Sequence, residues 1–411
     1  MLLNDPDKEI YGRHFYYGWL IVTISGVNLL ALYGIWYSYS VFLVAFSKEF
    51  AWNRTTTSSI FSLFMIVMGL AGPFIGYAVD KYGPRKILTI GALIFAFGLF
   101  LCSRVNSLIA FYLTFGGTVG LGGGIIGLVG NSRAIAHWFC GKSGLAAGIS
   151  TTGIGLGMLI VVPVVQIWVL KYGWRSCFLL LASLAGFLLI PMNAFFQRNR
   201  VKQQDQLGGR VFRSRKETSS CIRTSLFWKL FWVFFVGGFV VQAVLIHQVA
   251  IAIDAGFHKI VVASAVGMLG LFGTIGRPVW GVVSDRLGRD KAYIGASLAL
   301  IAGLCSMVIA KELKDSFALY GYAFFFGLGY SAIAPLNLIV AADIFSEEYF
   351  SSIYGFLFMG TTIGAAVGPL LSGFIFDRFS GYSLLFGIVA IMLLISNLSV
   401  RNIYGVEFLR R

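Results

Sequence analysis

The chain has 411 residues, 58% of them hydrophobic and 12% charged, at a mean hydropathy of +0.82. Globular domains carry about twice that charged fraction, which excludes an ordinary soluble fold and implies an integral membrane protein. The net charge of +15 is then a matter of topology, and no nucleic-acid partner is expected.

Twelve apolar spans follow in chain order, at roughly 17–45, 56–79, 87–105, 107–135, 143–168, 176–197, 227–252, 260–284, 292–310, 316–342, 351–376 and 381–400. Each is long enough to cross about 30 Å of hydrocarbon. The first sixteen residues mix both charges ahead of span 1, which reads as a membrane helix and not as a cleaved leader. With the N-terminus in the cytoplasm, 22 of the 32 Lys and Arg lie on the inner side and nine on the outer, with Arg277 left inside a span. This positive-inside bias places both termini in the cytoplasm, and the expected location is a cell membrane, the inner one in a bacterium. Asn53-Arg54-Thr55, in the first outer loop, fits a glycosylation acceptor.

Residues 198–225 are the one long polar segment, with eight Lys and Arg against two acids, and they divide the spans six and six. The expected organisation is an N-terminal bundle (1–197), a cytoplasmic linker (198–225) that touches anionic headgroups, and a C-terminal bundle (226–411). Cys102, Cys140, Cys177, Cys221 and Cys305 are scattered and odd in number, so no disulfide framework, metal or cofactor is expected.

The halves repeat. Residues 72–86 and 277–291 align without a gap at an offset of 205, pairing Pro73 with Pro278, Gly76 with Gly281, Asp80 with Asp285, Gly83 with Gly288 and Lys86 with Lys291. At an offset of 207, Gly148, Gly153 and Gly157 pair with Gly355, Gly360 and Gly364. The fold class expected is therefore all-α, with two related six-helix bundles and a path between them near the bilayer midplane.

The loops after spans 2 and 8, of the form G-x-x-x-D-[KR]-x-G-x-x-K, resemble the signature loop of the major facilitator superfamily. Residues 16–19 (YYGW), 137–155 (HWFCGKSGLAAGISTTGIG) and the Arg-Pro of span 8 resemble the monocarboxylate porters, which include lactate and pyruvate carriers. Physically, Asp80 and Asp285 can cap the exposed amides of a neighbouring helix, with span 11 (Ser351, Ser352) and span 5 (Ser143, Gly144) as the expected partners. Arg85 and Arg289, behind them, would hold an inner gate.

Within the span interiors Arg277 stands out as the charged residue. Eight residues separate it from Asp285, so it lies about 12 Å inward, near the middle of a core of half-thickness about 15 Å. Placing a guanidinium there costs at least ~2.5–3.5 kcal/mol, so it should face an aqueous cavity. The repeat puts Gly72 at the equivalent position, which shows that the frame can be built without the charge. No intramembrane carboxylate is available as counter-ion, so the expected partner is a small organic anion, held by the planar fork of the guanidinium.

One buried cation suits one carboxylate. The oxalate-formate exchangers, which the chain also resembles, carry a second cation on span 11, and residues 355–369 (GFLFMGTTIGAAVGP) have none. Asn28 and Tyr330 are candidate groups for a 2-hydroxyl or the second carboxylate oxygen, and Leu145 for the apolar wall. The resemblance implies proton symport by a carrier that works as a monomer. The acid that animal members have four residues before this arginine is here Gly273, and span 1 lacks their lysine, so the proton-coupling residue has to be sought elsewhere. His247, the titratable side chain in a span with a pKa near neutrality, is the candidate; it lies ~27 Å beyond Lys229, near the outer mouth. No span pairs a nucleophile with a base, so an enzyme is not expected. The alternatives are an oxalate/formate-type exchanger and a carrier-like anion sensor.

Overall fold

The computed structural model describes residues 17–138, 143–198, 221–345 and 350–408, apart from some side chains within them, among them those of Asp80, Arg133, Leu145, Ser351 and Ser352. All regular structure among the described residues is helical. Eleven stretches are long and apolar enough to cross a bilayer. One of them, Gly148–Phe196, has 49 residues, about twice what one crossing needs. Inside it Gly173 leaves the helical region (φ 80°, ψ 162°) and divides the run into spans 5 and 6, which makes twelve.

The long helices are Tyr17–Phe50 (span 1), Arg54–Tyr82 (span 2), Pro84–Cys102 (span 3), Lys259–Leu287 (span 8), Arg289–Leu313 (span 9), Phe350–Phe379 (span 11) and Ser383–Phe408 (span 12). Span 4 is built in pieces from Leu108 to Trp138. Span 7 (Ser225–Leu245 and Gln248–Asp254) and span 10 (Ser316–Ser331 and Ile333–Ile344) are each interrupted once. The turns at 51–53, 103–107, 173, 255–258, 314–315 and 380–382 form one end of the molecule, called here the distal end, opposite the end approached by both chain termini. Span 4 continues as helix to Trp138, so Arg133 sits within it and not in a loop.

The repeat read from the sequence has a geometric counterpart. Seven described residues have positive φ, and six form pairs at the same offsets: Ala51 with Gly256, Gly83 with Gly288, and Gly173 with Ser380. Gly83 (φ 84°, ψ 151°) and Gly288 (φ 100°, ψ 156°) turn spans 2 and 8 into spans 3 and 9 with a backbone that a β-carbon disfavours. The glycine pairs pack alike as well. A β-carbon on Gly153 or Gly157 would lie 2.1 Å from the Gly26 oxygen or 2.5 Å from the Leu30 oxygen of span 1. On Gly360 or Gly364 it would lie 3.0 Å from the Phe231 oxygen or 2.1 Å from the Phe235 oxygen of span 7. Small residues thus seat span 5 on span 1 and span 11 on span 7 in the same way.

Span 4 shows how a break in a membrane helix is repaired. At Gly127 the backbone turns extended (φ −80°, ψ −161°), freeing carbonyls that hydrocarbon cannot satisfy. The Asn131 amide donates to the oxygens of Ile126 (2.5 Å) and Gly127 (2.9 Å), and its own oxygen accepts from Asn28 Nδ2 at 3.1 Å. Asn28 and Asn193 exchange two further bonds, at 3.0 and 2.9 Å. All three side chains are buried, so they tie spans 1, 4 and 6 together. Asn131→Leu removes both repairs and is expected to cost about 1–3 kcal/mol, seen as a lower midpoint of thermal unfolding in detergent. An unchanged midpoint would mean that water already satisfies this break.

Candidate functional site

Span 8 carries Arg277 on the turn after Gly273, with Pro278 next to it inside the helix. Pro278 cannot donate to the Thr274 carbonyl, which loosens the helix at the charged residue. The guanidinium is partly buried and donates from Nη1 to the Thr151 carbonyl of span 5 at 3.2 Å. No carboxylate forms an ion pair with Arg277 among the described residues. Most of its five N–H donors are thus unspent among the described residues.

Three phenols lie within electrostatic reach of this cation: Tyr33 and Tyr37 of span 1, and Tyr330 of span 10. None of their hydroxyls has a hydrogen-bond partner among the described residues, and that of Tyr330 is fully enclosed. Tyr330 owes its position to Gly273. A β-carbon there would stand 2.3 Å from the Tyr330 Oη, so the phenol occupies the volume of a side chain one turn before Arg277. At Gly72, the repeat partner of Arg277, a β-carbon would meet its nearest neighbour only at 3.9 Å.

Arg277 and Tyr330 are therefore brought together, and Asn28 is not joined to them. The Asn28 carboxamide is engaged by Asn131 and Asn193 and here joins helices. The Leu145 side chain lies outside the described residues. Tyr33 and Tyr37 were not singled out from the sequence, although their i, i+4 spacing in the middle of span 1 places both on one helix face.

The signature loops lie at the terminal end. Asp285 is largely exposed and accepts from Arg289 Nη1 at 2.5 Å, and Arg289 Nε reaches Asp343 of span 10 at 3.1 Å. Asp285 is thus engaged by Arg289, and the side chain of its expected span 5 partner Ser143, like position 144, lies outside the described residues. Arg85 Nε donates to the Ala194 carbonyl at the end of span 6 at 2.6 Å. The Asp80 side chain and those of its expected partners Ser351 and Ser352 lie outside the described residues.

A second polar cluster closes the distal end. Asn53 caps span 2 through its side-chain oxygen, 2.7 Å from the Thr56 amide. The Asp377 carboxylate, at the end of span 11, accepts from the amides of Arg54 (3.0 Å) and Thr55 (2.8 Å) and from the Thr55 hydroxyl (2.5 Å). It therefore serves the open N-terminus of span 2. The Arg54 guanidinium lies 3.7 Å from the centre of the Phe376 ring, pairs with Asp254 of span 7 at 2.6 Å and donates to the Tyr382 hydroxyl at 2.5 Å. The triplet that fits a glycosylation acceptor is thus spent on a helix cap and a latch.

His247 sits at the interruption of span 7, fully buried beneath this latch. Its Nε2 lies 3.0 Å from the Pro369 carbonyl and 2.9 Å from Ser58 Oγ, and its Nδ1 lies 3.0 Å from the Tyr382 hydroxyl. A carbonyl only accepts, so the proton belongs on Nε2; in the neutral ring Nδ1 then accepts from Tyr382. A second proton, on Nδ1, would turn a donor toward an oxygen that already receives one from Arg54. The histidine is thus wired into the distal closure, far along its helix from Lys229, as the sequence places it.

Losing the Asp377 charge should loosen this closure. In a Ser62→Cys background, where the side chain is sealed between spans 2 and 11, Asp377→Asn is expected to raise labelling by an impermeant maleimide about tenfold, a shift of ~1.4 kcal/mol. Unchanged labelling would separate Asp377 from the closure.

Comparison with known proteins places this architecture. The profile of the Major Facilitator Superfamily matches residues 25–313 and again 248–403. The chain is 24% identical over 384 residues to an uncharacterized MFS-type transporter, YcxA, of Bacillus subtilis (strain 168), covering 93% of each chain. It is 27% identical over 385 residues to the oxalate:formate antiporter of Oxalobacter formigenes, covering 91% of this chain and 88% of that one. It is also 27% identical over 400 residues to monocarboxylate transporter 2 of Mus musculus, covering 90% and 80%. With twelve spans, a repeat visible in backbone and packing, and a family match over most of its length, the chain belongs to the Major Facilitator Superfamily and is a membrane transporter, not an enzyme.

Proposed function

We propose that the protein is a proton-coupled symporter of a small monocarboxylate, such as L-lactate or pyruvate, with Arg277 binding the carboxylate. The observation that carries this reading is a guanidinium held by one carbonyl of span 5, with no carboxylate partner among the described residues and three phenols around it. A carboxylate there would neutralise the charge through two parallel hydrogen bonds. Tyr330 is assigned to the second polar group of the substrate, with Tyr33 and Tyr37 beside it.

In this reading both termini are cytoplasmic, the distal end faces outward, and the membrane is a cell membrane, the inner one in a bacterium. The halves 1–197 and 226–411, joined by the linker 198–225, rock about the site as a monomer. Asp80, Arg85, Asp285 and Arg289 form the inner gate. The Arg54–Asp254–Asp377 cluster forms the outer one. His247 is the proton carrier: it is reached from outside once that cluster opens, and its neutral tautomer fits the closed arrangement. The similarity to the oxalate:formate antiporter supports a second reading, organic anion exchange. The absence of a second cation from residues 355–369 of span 11 weighs against it.

Uptake of labelled L-lactate into proteoliposomes under an inward proton gradient tests the proposal, with pyruvate, formate and oxalate as competitors. Accumulation that depends on the gradient is expected; stimulation only by internal oxalate or formate would favour exchange, and binding without uptake would favour a sensor. Arg277→Lys should lower kcat/KM by about 10–100-fold, the loss of one charge-assisted bond worth ~1.5–3 kcal/mol. Tyr330→Phe should lower it about 2–10-fold. His247→Ala should abolish acid stimulation while leaving counterflow of lactate; stimulation that persists would remove His247 as the carrier.

A further inference from the structure

The distal closure is lopsided with respect to the repeat. At the offset of 205, Arg54 corresponds to Lys259 and Asp254 to Glu49. Arg54 and Asp254 meet at 2.6 Å. Their counterparts form no ion pair: Lys259 and Glu49 both line a crevice of about 430 Å³ between the distal ends of spans 1, 5, 6, 7 and 8. Glu49 has both oxygens engaged, one by Arg175 and the other by the Trp174 Nε1 at 2.5 Å. Lys259 and Lys48, both on the crevice wall, have no carboxylate within ion-pair distance among the described residues. The crevice wall thus carries two lysines and a carboxylate already held by Arg175.

A further group points to a ligand. Gln166 of span 5 lines the same crevice, is only 3% exposed, and has no hydrogen-bond partner among the described residues. Its carboxamide is free to meet what enters the crevice, and on a wall that carries two ammonium groups its N–H donors suit an anion. The volume lies in the range of small-ligand pockets, about 300–1,000 Å³.

The crevice is separate from Arg277. Lys259 and Arg277 share span 8 and lie 18 residues apart, about 27 Å by helical rise. Between them spans 5 and 8 touch: a β-carbon on Gly270 would lie 2.7 Å from Met158 Cβ, and one on Gly155 would fall 1.6 Å from Thr274 Oγ1.

We propose that this crevice is an outer anion-binding antechamber, in which Lys259 and Gln166, aided by Lys48, hold the carboxylate of the incoming substrate before spans 5 and 8 part. The proposal rests on the reading of the chain as a carrier of small carboxylates with its distal end outward. With Glu49 held by Arg175, the unpaired charges on the crevice wall are both positive, and such a field raises the local concentration of anions. The antechamber therefore acts on capture from the outer side and not on the central site.

The first test compares L-lactate uptake by intact cells, which present only the outer face, with efflux from preloaded cells. Lys259→Gln and Gln166→Leu should each raise the uptake KM about five- to tenfold with kcat within twofold, leave efflux KM unchanged, and be rescued by Lys259→Arg at the lysine. An unchanged uptake KM in both variants, or an equal rise in both directions, overturns the proposal. The second test needs no transported substrate. Val169→Cys, on the crevice wall, should react faster with an anionic than with a cationic methanethiosulfonate, and Lys259→Gln should abolish that preference. Equal rates with the lysine present overturn the antechamber. If the preference is found but no monocarboxylate is transported, the proposed substrate fails while the anion site stands.

Discussion

Hydrocarbon supplies no hydrogen bonds, so every polar group carried into the membrane needs a partner within the protein, a cavity, or a ligand. This constraint organises the structure. The break at Gly127 is matched by Asn131, and Asn131 is matched by Asn28 and Asn193. The open amides of span 2 are matched by Asp377. Arg277 is where the matching stops short, since one carbonyl does not neutralise a guanidinium. A charge left without a counter-ion at mid-depth is, in the proposed reading, the place for a substrate that comes and goes.

The repeat turns this from a local observation into a comparison. Two halves share their turns, with six of the seven described positive-φ residues in equivalent pairs, and share the glycine contacts that seat spans 5 and 11 on spans 1 and 7. What they share is scaffold. What they do not share is a set of charges: Arg277 against Gly72 at mid-depth, and the joined Arg54–Asp254 against the unjoined Lys259 and Glu49 at the distal end. Transport from one side to the other needs two ends that behave differently about a common axis. Asymmetric charge on a symmetric frame supplies that difference without altering how the helices pack.

Much of the scaffold was legible in the sequence because its determinants are local. Apolar length fixes the spans, and Gly83 and Gly288 mark their turns through their own backbone conformation. The depth of Arg277 follows from counting residues along one helix. The fates of polar side chains were less legible, because their partners lie far along the chain. Asn28 has the composition of a ligand group, yet its partners are 103 and 165 residues away, on spans 4 and 6. Arg54 reads as a loop charge until Asp254 and Tyr382, 200 and 328 residues on, close around it. Span 1 did carry a usable signal in the spacing of Tyr33 and Tyr37, which needed only the helical period to be noticed.

The Gly273–Tyr330 contact bears on where a proton can travel. The resemblance to animal monocarboxylate porters leads one to expect an acid at position 273, one turn from the arginine, where proton and substrate would meet. Here the Tyr330 phenol fills that volume, at 2.3 Å from where a β-carbon would begin. A phenol in the place of a carboxylic acid keeps a hydrogen-bond donor beside the substrate but withdraws a group that would exchange protons near neutral pH. In the proposed reading proton and carboxylate are then bound at different depths, and coupling would run through conformation: His247 touches Ser58 of span 2, Pro369 of span 11 and Tyr382 near the start of span 12, the elements that close the distal end. On that reading its protonation would bear on the distal closure, while occupancy of Arg277, bonded to span 5 from span 8, would bear on the opposite pair of helices. In the proposed symport both conditions would have to be met before the halves move, with no proton passed between His247 and the substrate.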